Sequence, residues 1–260
     1  MSEIDPRAVV SPGARLAKDA KVAAYAVVGD DVELGEGCIV EHHAVIEGPS
    51  SFGRNNRFCS FSIVGGDPQD YTYTGQQVRL EVGDSNTFRE FCTVHRGTIK
   101  GGGYTRIGNN NLIMAYAHVG HDCVIGNYCT IINGAQFAGH THIGDYATVS
   151  SFVLVHQFSR IGCHSYIGAG TVITQDVPPF SLVVGPRETR CYGINKVGLE
   201  RRGFSPERIQ PIEQAYRYLL RSKLNTSQAV DRMRGTLAHS EDVLAIIKFI
   251  ESASDRGLTK

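Results

Sequence analysis

The sequence predicts a mainly β fold in which short strands wind into a triangular solenoid, followed by a helical segment. Two observations predict the solenoid. An apolar residue returns at every sixth position, and a small residue such as Ala or Cys usually stands four positions after it. The third observation is a change to helical spacing of the apolar residues from about residue 195. A period of six fits neither an α-helix nor an ordinary alternating strand.

The six-residue period sets the geometry of the predicted solenoid. It holds without a break from Val10 to Val64, returns at Val82 and continues from Ile107 to Ile173. Six residues make one short strand and one bend, so three such units close a triangular coil, and successive coils pair in parallel about 4.8 Å apart. The small residues should therefore fill the inner corners, and the frequent glycines should permit the bends.

Two insertions interrupt the period. The first lies near residues 65–80, and the period resumes in phase after it. The second lies near residues 99–106, contains Gly101-Gly102-Gly103 and shifts the phase by one. Loops that leave a repeat stack usually serve one face, often a binding face. We therefore predict a solenoid domain over residues 1–185 that carries two loop insertions.

A C-terminal α-helical domain is predicted over residues 186–260. Ser205 followed by Pro206 is typical of a helix N-terminus. Thr226 or Ser227 is predicted to cap a second helix, and Ser240 to start a third. The three helices should pack on one another and cover the open end of the coil stack, where unpaired strands would promote aggregation.

Composition predicts a soluble, cytoplasmic protein without a nucleic-acid partner. The 26 basic residues balance 26 acidic residues. The first residues lack a basic region followed by an apolar run, and no apolar stretch is long enough for stable membrane insertion. The seven cysteines are irregularly spaced, with no Cys-x-x-Cys. Four of them fall on the small inward position and are predicted to be reduced core residues: Cys38, Cys92, Cys123 and Cys129.

Several of the ten histidines fall together when the chain is folded at eighteen residues a coil. His121, Gly139 and Gln157 then form one column, and His140 follows Asp122 in the next. The residues grouped in this way are His118, His121, Asp122, Gly139, His140, His156 and Gln157. A histidine beside a carboxylate and a glycine amide is the minimum for general-base chemistry at neutral pH.

Two other interpretations of these histidines are open at this point. They could simply occupy polar corners of the solenoid, as we expect for His42, His43 and His164. They could also bind zinc, since the γ-class carbonic anhydrases carry three-histidine zinc sites on a similar solenoid. That class has two histidines five positions apart and a third about two coils earlier, and no such spacing occurs here. We therefore predict no metal.

An ordered set of motifs resembles one family, the UDP-N-acetylglucosamine O-acyltransferases, which begin lipid A synthesis. The resemblance runs from the first six-residue unit, or hexad, to Arg256-Gly257-Leu258. The motifs that carry it are Ala-His-Val-Gly-His-Asp-Cys (117–123), His-Arg-Gly-Thr (95–98) with Gly-Gly-Gly (101–103), Ala-Gly-His (138–140), Val-His-Gln-Phe (155–158), Gln-Asp-Val-Pro-Pro (175–179) and Gly-Leu-Glu-Arg-Arg-Gly-Phe-Ser (198–205).

The resemblance implies a left-handed parallel β-helix that forms a homotrimer with active sites between subunits. It implies transfer of an (R)-3-hydroxyacyl chain from acyl carrier protein to the 3-hydroxyl of the UDP-sugar. His121 would be the general base, Asp122 would orient it, and the Gly139 amide would bind the oxyanion. No bound cofactor or metal is implied, because the acyl-phosphopantetheine arrives on the carrier protein. The residues that would bind substrate are Asp70, His118, His140, His156, Gln157, Ala169, Asn195, Arg201 and Arg202.

Three positions bear on specificity. Thr72 and Val197 stand where the family usually has a lysine and a glutamate, so either weaker binding of the UDP-sugar or a variant acceptor such as the 3-amino sugar is an alternative. Ala169 stands where long-chain members have glycine, which predicts a chain of roughly ten to fourteen carbons. Another hexapeptide acyl- or acetyltransferase, for example one that uses coenzyme A, and a non-catalytic scaffold are the remaining alternatives.

Overall fold

The N-terminal part of the chain is a parallel β-helix of very short strands. The computed structural model describes residues 3–185, 189–252 and 255–260. Within each sheet, consecutive strands come from successive coils and pair in parallel, except that the last two strands of the chain pair antiparallel. Val10, for example, pairs with Val28, and Val28 pairs with Ile46. The eighteen-residue coil therefore sets the register.

The strands fall into three groups separated by the two insertions. Before the first insertion lie β1 (Glu3–Ile4), β2 (Val9–Val10), β3 (Arg15–Leu16), β4 (Lys21–Val22), β5 (Val27–Val28), β6 (Val32–Leu34), β7 (Ile39–Val40), β8 (Val45–Ile46), β9 (Ser50–Phe52), β10 (Arg57–Phe58) and β11 (Ile63–Gly66). Between the insertions lie β12 (Arg79–Val82), β13 (Thr87–Phe88) and β14 (Thr93–His95). After the second insertion come β15 (Tyr104–Ile107), β16 (Leu112–Ile113), β17 (His118–Val119), β18 (Val124–Ile125), β19 (Thr130–Ile131), β20 (Gln136–Phe137), β21 (His142–Ile143), β22 (Thr148–Val149), β23 (Leu154–Val155), β24 (Arg160–Ile161), β25 (Tyr166–Ile167), β26 (Val172–Ile173), β27 (Ser181–Val184) and β28 (Arg190–Ile194).

Three sheets form the faces of the β-helix. Sheet A contains β1, β4, β7, β10, β13, β16, β19, β22, β25, β27 and β28; sheet B contains β2, β5, β8, β11, β14, β17, β20, β23 and β26; and sheet C contains β3, β6, β9, β12, β15, β18, β21 and β24. The repeating apolar side chains point inward and stack, as Phe58 and Phe88 do with ring centroids 5.2 Å apart. The four cysteines predicted to be core residues are buried, and all seven are free. The core thus follows the six-residue period.

Both insertions leave the β-helix at the corner between sheets B and C. The first adds two hexads to its coil, because Val82 pairs with Phe52. The second adds one hexad and one residue, because Ile107 pairs with Val82. The in-phase return and the shift by one are therefore confirmed. The second insertion contains a 3-10 turn over Ile99–Gly101.

Four helices follow the strands among the described residues: α1 (Lys196–Arg201), α2 (Pro206–Leu220), α3 (Thr226–Leu237) and α4 (Glu241–Glu251). The predicted N-caps Ser205 and Ser240 are confirmed. The prediction of Thr226 or Ser227 as the second cap was wrong. Asn225 caps α3, because its side chain and that of Gln228 each accept a hydrogen bond from the other's backbone amide.

The helical segment packs on the last coils of the β-helix. Helix α2 contacts α3, α4 and β28, and the buried Tyr216 donates its hydroxyl to the Pro179 carbonyl at 2.6 Å. Arg160 donates to the Ser252 carbonyl at 2.8 Å after the end of α4. Helix α1 was not predicted, since six residues are too few to show a helical period.

The predicted division between residues 185 and 186 remains a prediction. Residue 186 lies outside the described residues, so the boundary itself cannot be placed on an element. Strands β27 and β28 stand on either side of it and pair antiparallel, so sheet A continues past the predicted boundary. None of the helices in the described ranges combines the length and the apolar character that a membrane crossing needs.

Candidate active site

The predicted histidine cluster lies at the corner between sheets B and C, where both insertions leave. His121 and Asp122 form the bend between β17 and β18. The His140 amide donates to the His121 carbonyl at 2.9 Å, so Gly139 and His140 form the same bend one coil later. Asp122 and His140 both have φ of 61°, a left-handed conformation that the corner imposes. The coil register alone therefore brings these four residues together.

The buried carboxylate of Asp122 is held by three hydrogen-bond donors. Its Oδ2 lies 2.7 Å from Nδ1 of His121 and also accepts the Thr98 hydroxyl at 2.7 Å. Its Oδ1 accepts the Thr98 amide at 2.7 Å. Burial raises the pKa of this carboxyl, but the hydrogen bonds from His121 and Thr98 outweigh burial and lower the pKa below its ordinary value. Asp122 is thus a carboxylate that favours a proton on Nδ1 of His121.

The imidazole of His121 lies against the backbone of Gly139. A Cβ at position 139 would lie 2.5 Å from Cε1 of His121 and 2.7 Å from Nε2, so any side chain there would displace the ring. The Gly139 amide is buried and donates to no backbone or side-chain acceptor in the described part of the chain. A free backbone donor therefore stands beside Nε2, the nitrogen that faces away from Asp122.

His121 is more enclosed than its bend position predicts. Its side chain is only 15% exposed. The Gly139 backbone covers one part of the ring, and the His140 ring meets it edge-on with centroids 5.3 Å apart. Phe158 stacks on His140 at 4.4 Å, and burial lowers the pKa of His140 although Asp122 opposes this effect. Both rings are consequently fixed by packing and not only by hydrogen bonds.

Two further histidines lie on the sheet B side of the cluster. His118 pairs through Nδ1 with the Thr93 hydroxyl at 2.8 Å, and its pKa is lowered, mainly by burial. His95 lies edge-on to His118 with centroids 5.0 Å apart. Burial, followed by the nearby histidines, lowers the pKa of His95 to about 4. These imidazoles are therefore neutral at physiological pH.

Asp70 lies on the first insertion, near enough to His121 for the charge of that histidine to act on it. Its carboxylate accepts both the amide and the hydroxyl of Thr72 at 2.6 Å. These hydrogen bonds lower the pKa of Asp70, and the charges of Lys100 and His121 add to the effect. Thr72 thus acts as an internal hydrogen-bond partner of Asp70.

Buried Arg96 joins the two insertions. It donates to the Gly65 carbonyl at 2.5 Å and to the Tyr73 hydroxyl at 3.2 Å, and it forms an ion pair with Asp67. The arginine precedes the second insertion, whereas its three partners belong to the first insertion or its entry. Arg96 therefore fixes the loop that carries Asp70.

Three of the predicted residues lie farther along the β-helix. His156 and Gln157 are exposed at the same corner one coil beyond Gly139, where Nδ1 of His156 lies 3.1 Å from the Gln157 carbonyl. Ala169 is exposed at a different corner, between sheets A and B. The structure therefore places Ala169 across the width of sheet B from the histidine corner.

The predicted nucleotide residues are not brought to the histidine corner of the same chain. Arg201 and Arg202 line a cavity of about 630 Å³ over sheet A, together with Thr148, Tyr166 and Val197. Arg202 also lies over the Tyr146 ring, 5.6 Å from its centroid. One chain thus carries two separate groups of predicted site residues, on different sides of the triangle.

Asn195 lines the same cavity, but its side-chain amide already forms hydrogen bonds within its own chain. Its side-chain oxygen accepts the Gly198 amide at 3.2 Å, which caps α1, and its side-chain nitrogen donates to the His164 carbonyl at 3.0 Å. His164 is stacked between Tyr146 and Phe180, with ring centroids 4.7 and 5.4 Å away. Asn195 and His164 therefore join the helical segment to the last coils.

His121, Asp122 and His140 each offer one ligand atom within 4.8 Å of the others, a spacing that a metal ion could use. The hydrogen bonds argue against this role. Both oxygens of Asp122 already accept from Thr98, and Nδ1 of His121 faces Asp122 rather than a shared centre. The absence of a metal remains a prediction, which metal analysis of purified protein and an assay after chelation would test.

Sequence reasoning assigned no role to several residues that contact the cluster. His95, Arg96 and Thr98 belong to one motif, His-Arg-Gly-Thr, directly before the second insertion. The available signal was position, since the motif ends where the six-residue period shifts phase. Periodicity places such a loop at a corner, but it cannot show that Thr98 returns to contact Asp122.

Comparisons with known proteins agree with this architecture. The family model described as UDP-N-acetylglucosamine O-acyltransferase, domain 2, matches residues 176–259, and the bacterial transferase hexapeptide model matches residues 13–48 and 104–139. Acyl-[acyl-carrier-protein]–UDP-N-acetylglucosamine O-acyltransferase from Syntrophobacter fumaroxidans is 46% identical over 99% of this chain and 100% of its own length. The protein of the same name from Saccharophagus degradans is 47% identical over 100% of both chains.

Solved structures give the same result for the fold. The UDP-N-acetylglucosamine acyltransferase of Francisella novicida superposes with a TM-score of 0.95 at 38% identity, covering 98% of this chain and 93% of that one. The corresponding Moraxella catarrhalis structure superposes with a TM-score of 0.96 at 35% identity over 99% of both chains. The predicted left-handed parallel β-helix with C-terminal helices is confirmed. The chain belongs to the UDP-N-acetylglucosamine O-acyltransferase family of enzymes.

Proposed function

We propose that this enzyme transfers an (R)-3-hydroxyacyl chain from acyl carrier protein to the 3-hydroxyl of UDP-N-acetylglucosamine, with His121 as general base. The observation that carries the proposal is the arrangement of His121 between the Asp122 carboxylate and the free Gly139 amide. The full-length relatives named above support the donor and the acceptor. The enzyme needs no bound cofactor for this reaction, and we expect it to work in the cytoplasm.

The chemistry follows from the two nitrogens of His121. Asp122 keeps the proton on Nδ1, which leaves Nε2 as the acceptor for the proton of the sugar hydroxyl. The hydroxyl oxygen forms a bond to the thioester carbonyl carbon, and the Gly139 amide stabilises the negative charge that develops on the carbonyl oxygen. When the carbon–sulfur bond breaks, the imidazolium gives its proton to the departing phosphopantetheine thiolate, which leaves as the thiol.

We also propose that the enzyme is a homotrimer with its active sites between subunits. The separation of the two groups of predicted site residues supports this arrangement. His121 lies at the corner between sheets B and C, whereas Arg201 and Arg202 line the cavity over sheet A. A second subunit can present its arginine cavity to the histidine corner of the first. Each site would then take its base from one chain and its nucleotide contacts from another.

The direct test of the proposed base is the substitution His121→Ala. Transfer to UDP-N-acetylglucosamine should fall by roughly a thousandfold or more, since general-base catalysis and ring positioning are lost together. His142→Ala is the matched control, because His142 is an exposed histidine on the neighbouring strand β21. A His121→Ala enzyme that keeps wild-type turnover would contradict the proposal. Replacing the acylated carrier protein with acyl-coenzyme A distinguishes the alternative transferase.

The acceptor is the second open choice within the same mechanism. Thr72 is bound to Asp70, and Val197 is exposed where it lines the arginine cavity, so neither position presents a charge to the sugar nucleotide. These two residues favour the 3-amino analogue as a second candidate acceptor. Assays of both acceptors side by side, with the same donor, decide between them. Family-like rates with the ordinary 3-hydroxyl sugar would exclude the amino-sugar alternative.

The length of the acyl chain is expected to be set in part by Ala169. Ala169 is exposed at the corner between sheets A and B, where its methyl group would narrow the path that we propose for the acyl chain along sheet B. One methyl group discriminates weakly, so we expect chains of roughly ten to fourteen carbons. Competition among carrier proteins loaded with different chains measures the preference. Dominant use of sixteen carbons or more would contradict it.

A further inference from the structure

The second insertion returns to the active-site corner and encloses the Asp122 carboxylate. The 3-10 turn over Ile99–Gly101 is capped by Thr98, whose hydroxyl also accepts the Gly101 amide at 3.3 Å. The backbone of Gly101 packs on the same carboxylate, since a Cβ there would lie 2.1 Å from Cγ of Asp122. The Asp122 side chain is only 1% exposed as a result. The turn therefore replaces the water that would otherwise solvate this charge.

Thr98 supplies two hydrogen bonds that differ in what they do. Its amide donates to Oδ1 of Asp122 at 2.7 Å and fixes the direction of the carboxylate. Its hydroxyl donates to Oδ2 at 2.7 Å, and Oδ2 is also the oxygen that lies 2.7 Å from Nδ1 of His121. The hydroxyl and His121 thus share one acceptor oxygen. Removal of the hydroxyl leaves that oxygen to His121 alone, apart from His140 at 3.4 Å.

We infer that Thr98 is a positioning residue. It sets the orientation of the Asp122 carboxylate and how strongly the negative charge of that carboxylate acts on His121. The inference rests on the proposed function of His121 as general base. Thr98 is buried, and both its amide and its hydroxyl donate to Asp122. Its effect passes entirely through Asp122, which distinguishes it from the residues that contact substrate.

The consequence of this arrangement is a specific dependence on pH. Without the Thr98 hydroxyl, Oδ2 presents more charge to His121 and stabilises its protonated form, so the base is protonated at a higher pH. The other titratable groups around His121 are unchanged in this variant: His118 and His95 toward sheet B, His140 on the next coil, and Asp70, with Lys100 near it, on the insertions. A shift of the acid limb of the pH–rate profile in this variant therefore measures the effect of the Thr98 hydroxyl on His121.

The experiment compares Thr98→Val with Thr98→Ser in the full-length enzyme. Valine retains the shape and the amide but removes the hydroxyl, and serine retains the hydroxyl. We expect Thr98→Val to lower kcat by roughly tenfold to a hundredfold, to change the KM for the UDP-sugar little, and to move the acid limb of the profile to higher pH. Thr98→Ser should behave like the wild-type enzyme.

Thr105→Val is the matched control. The buried Thr105 hydroxyl accepts the Asp122 amide at 2.8 Å, so this change removes a threonine hydrogen bond from the same residue without touching its carboxylate. It should reduce stability but leave the acid limb in place. If Thr105→Val moves the acid limb as far as Thr98→Val, or if Thr98→Val moves it not at all, the inference is wrong.

A measurement without turnover separates this inference from the proposed function. The imidazole of His121 can be titrated by NMR in protein labelled on histidine, with His121→Ala used for assignment. A higher midpoint in Thr98→Val than in wild type supports the inference even if no acyl transfer is found with either acceptor. An unchanged midpoint refutes it even if the wild-type enzyme is fully active.

Discussion

At the scale of single residues, the site depends on how closely backbone and side chain approach each other. The His121 ring occupies the space that a side chain at position 139 would need. The glycine therefore has two functions, since it admits the ring and leaves an amide free beside Nε2. A residue with a methyl group at this point would interfere with both.

Gly139→Ala should consequently reduce turnover by roughly a hundredfold or more while the fold persists. The expected cause is displacement of His121, because a Cβ would lie 2.5 Å from its Cε1. Steady-state kinetics together with circular dichroism measure the two effects separately. Gly235→Ala is the control, since that helical glycine has nothing within 4 Å of the added carbon. Equal activity of both variants would contradict our account of Gly139.

At the scale of elements, the two insertions form one structure around the corner between sheets B and C. Arg96 joins them, because it precedes the second insertion and binds the Gly65 carbonyl, Asp67 and Tyr73. The loop that carries Asp70 has no other buried charged anchor of this kind in the described part of the chain. The position of Asp70 therefore depends on a residue that need not contact substrate.

Arg96→Met should raise the KM for the UDP-sugar by roughly tenfold and change kcat less, since the loop that carries Asp70 loses its anchor while His121 and Asp122 keep theirs. Arg89→Met removes an exposed ion pair with Glu90 and provides the control. The readout is the pair of kinetic constants for each variant. A fall in kcat with an unchanged KM would show that Arg96 acts on the base instead.

The structure also shows which elements a sequence can predict. The corner of His121 and Asp122 could be placed from the sequence, because paired strands on either side of it are eighteen residues apart and the six-residue period fixes that spacing. The cap of α3 was missed by one residue, since Asn225 forms a reciprocal pair with Gln228 that the spacing of apolar residues does not reveal. The contact of Thr98 with Asp122 was missed because loop conformation depends on long-range packing.

At the scale of the whole molecule, one chain presents the two halves of its proposed site on different sides. The histidine corner faces one way, and the cavity with Arg201 and Arg202 lies over sheet A. The sequence could supply the residues of both halves but not their separation, since the position of α1 depends on contacts such as that of its N-cap Asn195 with the His164 carbonyl. The separation of the two halves makes it possible to test whether each site is shared between subunits.

Mixed trimers should recover activity from two inactive variants. His121→Ala lacks the proposed base, and the double variant Arg201→Ala with Arg202→Ala lacks the proposed nucleotide contacts. When equal amounts are unfolded and refolded together, about a quarter of the sites in a cyclic trimer combine an intact corner with an intact cavity. Activity near that fraction of wild type is expected, and each variant refolded alone is the control. No recovery from trimers of confirmed mixed composition would contradict sites shared between subunits.

The fold should lose stability in mild acid. His95 and His164 each have a pKa lowered to about 4, mainly by burial, whereas histidine in an unfolded chain titrates near 6.5. Between these two values the unfolded chain binds protons on these histidines and the native protein does not. The free energy of unfolding should therefore fall as pH drops from about 6.5 to about 4.

Chemical denaturation at several pH values measures this dependence. His164→Phe should reduce the slope, because phenylalanine keeps the ring between Tyr146 and Phe180 but cannot be protonated. Phe158 and Phe180 already occupy equivalent left-handed corner positions, so the backbone accepts this residue. Identical slopes for His164→Phe and wild type would show that His164 does not contribute.

Because the coils rise by a constant step, the distance between two residues along the β-helix axis increases in equal steps of one coil. Ala169 follows His121 by 48 residues, between two and three coils, which corresponds to roughly 13 Å along the axis at 4.8 Å a coil. A point substitution could change the accepted chain length only by less than the rise of one coil. Inserting or deleting eighteen residues between these two positions would keep every strand in register and change the available length by one whole coil. For the proposed acyl chain, the fold would therefore allow a coarse adjustment of length by whole coils and a fine adjustment by single substitutions.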